Sequence, residues 1–130
     1  MQAHGLVDAL LDSLRARNQN LTRAVVWDVR ALRKLGDPRF VVVANATTQD
    51  GQFHGNFRDE LFAVFIVNDS LSRIVATLGD FPTARWHDYQ VWVDSVTPDS
   101  VIVRGRGDTY GDQPMRHSFA LPPADLPSRR

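Results

Sequence analysis

Leu61-Phe62-Ala63-Val64-Phe65-Ile66-Val67 is an apolar run of seven residues with no alternation. A strand with one wet face alternates apolar and polar side chains, because successive side chains point to opposite faces. A run with no polar position therefore predicts a strand covered on both faces. It is far short of the roughly 18 apolar residues that a membrane span requires, and no other stretch approaches that length. The strand needs two covers, and the rest of the chain must supply them.

One cover lies upstream. Leu6, Val7, Leu10, Leu11 and Leu14 recur at helical spacing, with Asp8, Asp12 and Ser13 on the other face. Arg15 and Arg17 stand where cations suit a helix C-terminus. Residues 4–18 are expected to form one amphipathic helix laid on a sheet.

The second cover is expected to be a curled continuation of that sheet. After Asn20 the period changes to two. Val25, Trp27, Val29 and Ala31 alternate with Ala24, Val26, Asp28 and Arg30, and Phe40, Val42, Ala44 and Ala46 alternate with Val41, Val43, Asn45 and Thr47. Leu35-Gly36-Asp37-Pro38 punctuates a turn between them, so the pair predicts a long hairpin. Downstream, Ile74, Ala76 and Leu78 read as a strand ended by Gly79-Asp80-Phe81-Pro82. Tyr89, Val91 and Val93 form the next strand, Thr97-Pro98-Asp99-Ser100 a turn, and residues 101–106 a further strand. Met115, His117, Phe119 and Leu121 line a last one. Short turns force antiparallel neighbours. The expected fold class is α+β: one N-terminal helix packed on a strongly curved antiparallel sheet of six or seven strands, with partial closure into a barrel as an alternative. Residues 1–121 form a single domain, and residues 122–130, with three prolines and no periodicity, a loose tail.

Composition narrows the chemistry. The chain has no cysteine, which excludes disulfides, thiolate metal sites and a cysteine nucleophile. With no basic leader, and with Asp8 and Asp12 interrupting the first apolar stretch, a cytoplasmic setting is expected. Net charge is zero, so no global field draws the chain to nucleic acid or membrane. Charge is nevertheless uneven. Residues 1–40 hold seven cations against four aspartates, and the remainder is acidic by the same margin of three. Arginine supplies all but one of the fifteen basic residues, a bias that the GC-rich coding of many bacteria produces.

Three clusters carry candidate chemistry. Ala84-Arg85-Trp86-His87-Asp88-Tyr89 follows a Gly/Pro break, a place where a scaffold presents side chains. His87 is a candidate general base there, but strand neighbours point apart, so Asp88 is badly placed to orient it. The alternative is that Trp86 and Tyr89 are packing anchors. Residues 104–112 (RGRGDTYGD) contain Arg104 and Tyr110 around glycines that would admit an anion to the backbone, yet match neither a P-loop nor a dinucleotide fingerprint. A hairpin loop with solvated charges accounts for them equally. Arg30, Arg33, Lys34 and Arg39 form a basic hairpin tip, suited to phosphate, to a second copy of the chain, or to solvent alone. His4, His54, His87 and His117 show no metal-ligand spacing, so no metal or cofactor is expected.

No catalytic constellation emerges, and the leading expectation is a non-enzymatic protein-interaction module that binds a partner or itself. A small-molecule site, with or without turnover, is the alternative, its pocket lined by Trp27, Trp86, His87, Tyr89 and Trp92. Binding of nucleic acid or another anionic surface through the hairpin tip is the third. No membrane partner is expected.

Overall fold

A computed structural model describes residues 2–17, 19, 21–48, 58–85, 89–107 and 115–123. Helix α1 spans Gln2–Arg15. Seven strands follow: β1 Leu21–Ala31, β2 Phe40–Thr48, β3 Arg58–Val67, β4 Ile74–Arg85, β5 Tyr89–Val96, β6 Ser100–Gly107 and β7 Met115–Ala120. Every pairing is antiparallel.

The strands form two sheets rather than one: β1-β2-β3-β4 and β5-β6-β7. The expected curled or barrel-like continuation is thus replaced by a separate three-stranded layer, because β5 pairs with β6 and not with β4. The apolar run sits in β3 and sorts by parity. Leu61, Ala63, Phe65 and Val67 pack in the core beneath the helix. Phe62, Val64 and Ile66 pack in the core between the sheets. Strand β2 is divided in the same way, with Val42, Ala44 and Ala46 under the helix and Val41 and Val43 facing the second sheet.

Leu6, Leu10 and Leu14 are the buried stripe of α1. They pack with Ala24, Ala44, Ala46 and Ala63, small residues that let the helix lie close to the sheet. The helix ends at Arg15 rather than residue 18, and the N–H of Arg17 closes its last turn on the Leu14 carbonyl at 2.9 Å.

Strand β4 runs through Gly79-Asp80-Phe81-Pro82, which the sequence marks as a break. The outer position of the strand explains this for Pro82: an edge strand tolerates a residue with no N–H. Gly79 has a different reason. A Cβ built on it would lie 2.5 Å from Cε1 of Phe119, so the ring of β7 rests directly on the glycine backbone. Gly79→Ala is expected to lower stability by about 1–3 kcal/mol. Urea denaturation checks this, and adding Phe119→Leu should recover part of the loss.

The basic hairpin tip is anchored at its base. Leu32 is buried in the inter-sheet core, and a short 3-10 helix at Arg33–Leu35 follows it. Gly36 ends that turn at φ 77°, a conformation that glycine adopts without strain. Asp37, only 8% exposed, returns its N–H to the Leu32 carbonyl. A leucine and a carboxylate–guanidinium pair at the base of the tip are both taken into the body of the protein, while residues 33–36 are exposed.

Candidate functional site

The geometry of β1 decides which of its side chains face out. Its register against β2 slips between Val26 and Asp28, leaving Trp27 as an extra residue. A bulge of this kind reverses the side-chain phase beyond it. Before the slip, Ala24 and Val26 pair with Ala46 and Ala44 and face the helix. After it, Asp28 and Arg30 pair with Val43 and Val41 and face the second sheet. The sequence placed Val25, Trp27, Val29 and Ala31 on one face. Instead Val25 and Trp27 lie toward the second sheet and Val29, opposite Val42, toward the helix.

The slip puts Asp28 and Arg30 to structural use. Oδ2 of Asp28 accepts the N–H of Val93 at 2.7 Å, and Nη2 of Arg30 donates to the carbonyl of Val93 at 2.7 Å. Val93 belongs to β5, the edge of the second sheet. Two side chains of β1 thus hold both polar groups of one residue, joining two sheets that share no ladder.

Arg39 is likewise engaged. Its guanidinium makes a paired contact with Asp37 (Nη2–Oδ2 2.7 Å, Nε–Oδ1 2.9 Å) and donates to the Pro122 carbonyl at 2.8 Å. The bonds from Arg39 hold the Asp37 carboxyl below its ordinary value of 3.8, against a smaller opposing effect of burial. Of the four tip cations, Arg30 and Arg39 therefore bind the protein's own main chain, and Arg33 and Lys34 are exposed. Pro122, assigned by sequence to a loose tail, is tied at this point.

Of the candidate pocket residues, Trp27 and Trp92 are described, and they stand apart. Trp27 packs edge-to-face on Phe62, centroids 5.6 Å apart at 75°, and is 39% exposed. Trp92 and Arg104 are cross-strand partners on the outer face of the second sheet, away from Val91 and Val103, which fill the core. Arg104 pairs with Asp94 at 3.1 Å in an exposed contact. Trp86, His87 and Tyr110 lie outside the described residues, as does the side chain of Tyr89. His54 and the side chain of His4 are also outside the described residues, and His117 stacks on Phe119 at 6.0 Å. Among the described residues no group of His, Cys, Asp or Glu is arranged to hold a metal ion, and no helix is long and apolar enough to cross a membrane.

Two features escaped the sequence. Asp28 looked like the polar phase of an alternating strand. Asn45 is 5% exposed, stands between Val25 and Phe62 in the register, and has an Nδ2 with no hydrogen-bond partner among the described residues. Its only advance signal was a lone amide within VVVANA.

What remains at the surface is apolar and concentrated. Among the described residues, the exposed large apolar side chains are Val25, Trp27, Val29, Leu35 and Val75. Three of the five belong to β1, which is an edge strand. Comparison of the chain with protein-family models, curated proteins and solved structures finds no match.

Proposed function

We propose that the chain is a non-enzymatic protein-interaction module and that β1 is its contact strand. The supporting observation is the coincidence on β1 of an open sheet edge and three exposed apolar side chains. An edge strand directs every second N–H and C=O away from its sheet, ready to pair with another strand. Val25 and Trp27 flank that edge on one side and Val29 on the other. A strand added to β1 would bond to its main chain and meet apolar side chains above and below, the arrangement by which extended segments augment sheets. The added strand comes from a partner protein or from a second copy of this chain.

The two other functional classes have less support. A pocket formed by Trp27 and Trp92 conflicts with their positions on different faces of the sandwich. A phosphate grip at the hairpin tip would have Arg33 and Lys34, because Arg30, though exposed, and Arg39 already donate to main-chain carbonyls.

Sedimentation velocity over a range of concentrations, with a photo-crosslinking residue at position 25 in producing cells, tests the proposal. The expected result is a defined dimer or one adduct mapped to β1. Val25→Lys with Val29→Lys should abolish it while leaving the fold intact by circular dichroism. A monomer at all concentrations, without an adduct that depends on Val29, overturns it.

A further inference from the structure

The helix stripe seats on β1 and β2, and the sheet extends beyond it. At the C-terminal end of α1 this leaves a cleft of about 250 Å³ lined by Ser13, Leu14 and Arg17 on one side and by Thr77 and Asp80 of β4 on the other. Ala63 and Phe65 of β3 form its floor. Two polar residues of β4 line the cleft because the β3–β4 register slips between them. Thr77 pairs with Phe65 and Asp80 with Ala63, and both partners belong to the helix-side core.

Arg17 Nη2 and Asp80 Oδ1 meet at 3.2 Å. The partners are unequal: the Arg17 side chain is 62% exposed and that of Asp80 only 17%. Arg17 lies past the end of the helix, whereas Asp80 is fixed on a strand. An ion pair with one partner so exposed holds it weakly. The carboxylate is therefore the permanent feature of the cleft, and the guanidinium a contact that another cation can replace.

We propose that this cleft is a binding site for a small primary ammonium compound carrying one compact apolar group. The ammonium would take the place of Arg17 on the Asp80 carboxylate, with the Ser13 and Thr77 hydroxyls as further acceptors. The apolar group would lie on Phe65, Ala63 and Leu14. Such a ligand would bury its own apolar group, since Leu14, Ala63 and Phe65 have almost no exposed surface left to lose. The volume is below the 300–1,000 Å³ or so typical of pockets for drug-sized ligands, which sets the size class. The site is independent of β1 and adds a ligand to the interaction role.

The test is an NMR and calorimetric titration of the full chain with 2-phenylethylammonium, alongside the neutral 2-phenylethanol and the anionic 3-phenylpropionate. The ammonium should bind at least tenfold more tightly than either control. Asp80→Asn should remove that preference. Arg17→Ala should tighten binding several-fold by removing the competing cation, a change that a merely structural ion pair would not produce. Ala63→Leu should fill the floor and abolish binding. Equal affinity for the alcohol, no binding of the ammonium, binding indifferent to Asp80→Asn, or a preference for the carboxylate that Arg17→Ala removes would each overturn the proposal.

Discussion

Phe62→Ala is expected to lower stability by about 3–5 kcal/mol, a large part of the 5–15 kcal/mol that holds a typical domain folded. Phe62 is fully buried between the sheets. It stands opposite Asn45 on one side and Phe81 on the other, within a central strand whose neighbours are both hydrogen-bonded to it. Two ladders prevent that strand from moving to fill the space of the lost ring, so most of the cavity persists. Urea denaturation should show a reduced midpoint with an unchanged slope. Trp27→Ala serves as the comparison. Trp27 touches the same ring but is substantially exposed, so it should cost clearly less. Equal losses would mean that the edge-to-face contact, not the inter-sheet core, carries the stability of this region.

Arg39→Met is expected to cost about 3 kcal/mol at neutral pH, because it leaves the shielded Asp37 carboxylate without its charged partner and removes the donor to the Pro122 carbonyl. The loss should depend on pH with a definite sign. In the native protein Asp37 titrates below 3.8, so its contribution is complete above that value and is lost as pH falls through the lowered one. In the variant, the main-chain N–H of residue 39 still donates to Asp37 Oδ1, but the guanidinium bonds that oppose burial are gone, so the carboxyl is held down less. The difference between the two proteins should therefore be largest at neutral pH and shrink in acid. Urea midpoints measured from neutral pH to below pH 3 check this. A difference independent of pH would show that the Pro122 contact, rather than the carboxylate, is the part that matters.

The strands were legible wherever one physical rule decided the outcome. Residues 61–67 could only be covered on both faces, and the leucine spacing from Leu6 to Leu14 could only be a helix stripe. The division into two sheets was not legible. Whether β5 pairs beside β4 or crosses to face it depends on the path of the chain between Arg85 and Tyr89, which side-chain type does not encode. Gly79 and Pro82 were misleading because both are turn residues by composition. In β4 one accommodates a ring from the opposite sheet, and the other stands at an edge that needs no donor. The phase of β1 failed for a related reason. Val25, Trp27 and Val29 keep an unbroken alternation in sequence, while the extra residue at Trp27 breaks it in space. At the hairpin tip, charge did not show which cations are engaged, because sequence does not reveal that main-chain carbonyls of Val93 and Pro122 lie within reach of Arg30 and Arg39. The cleft at Asp80 was hidden in the same way, since it depends on how far the helix extends over the sheet.

The grip of Asp28 and Arg30 on Val93 also sets an order in time. Those bonds join residues 65 and 63 positions apart, and the bond from Arg39 to Pro122 spans 83. Neighbouring strands within each sheet, by contrast, follow one another in the chain, so each sheet can zip from its own hairpins before the long-range bonds exist. Closing a long stretch of chain is entropically slow. On a ribosome the first four strands would emerge with one broad apolar face uncovered, and that face stays open until β5, β6 and β7 have been made. The vulnerable moment in the life of this protein is the interval between synthesis of its fourth strand and its seventh.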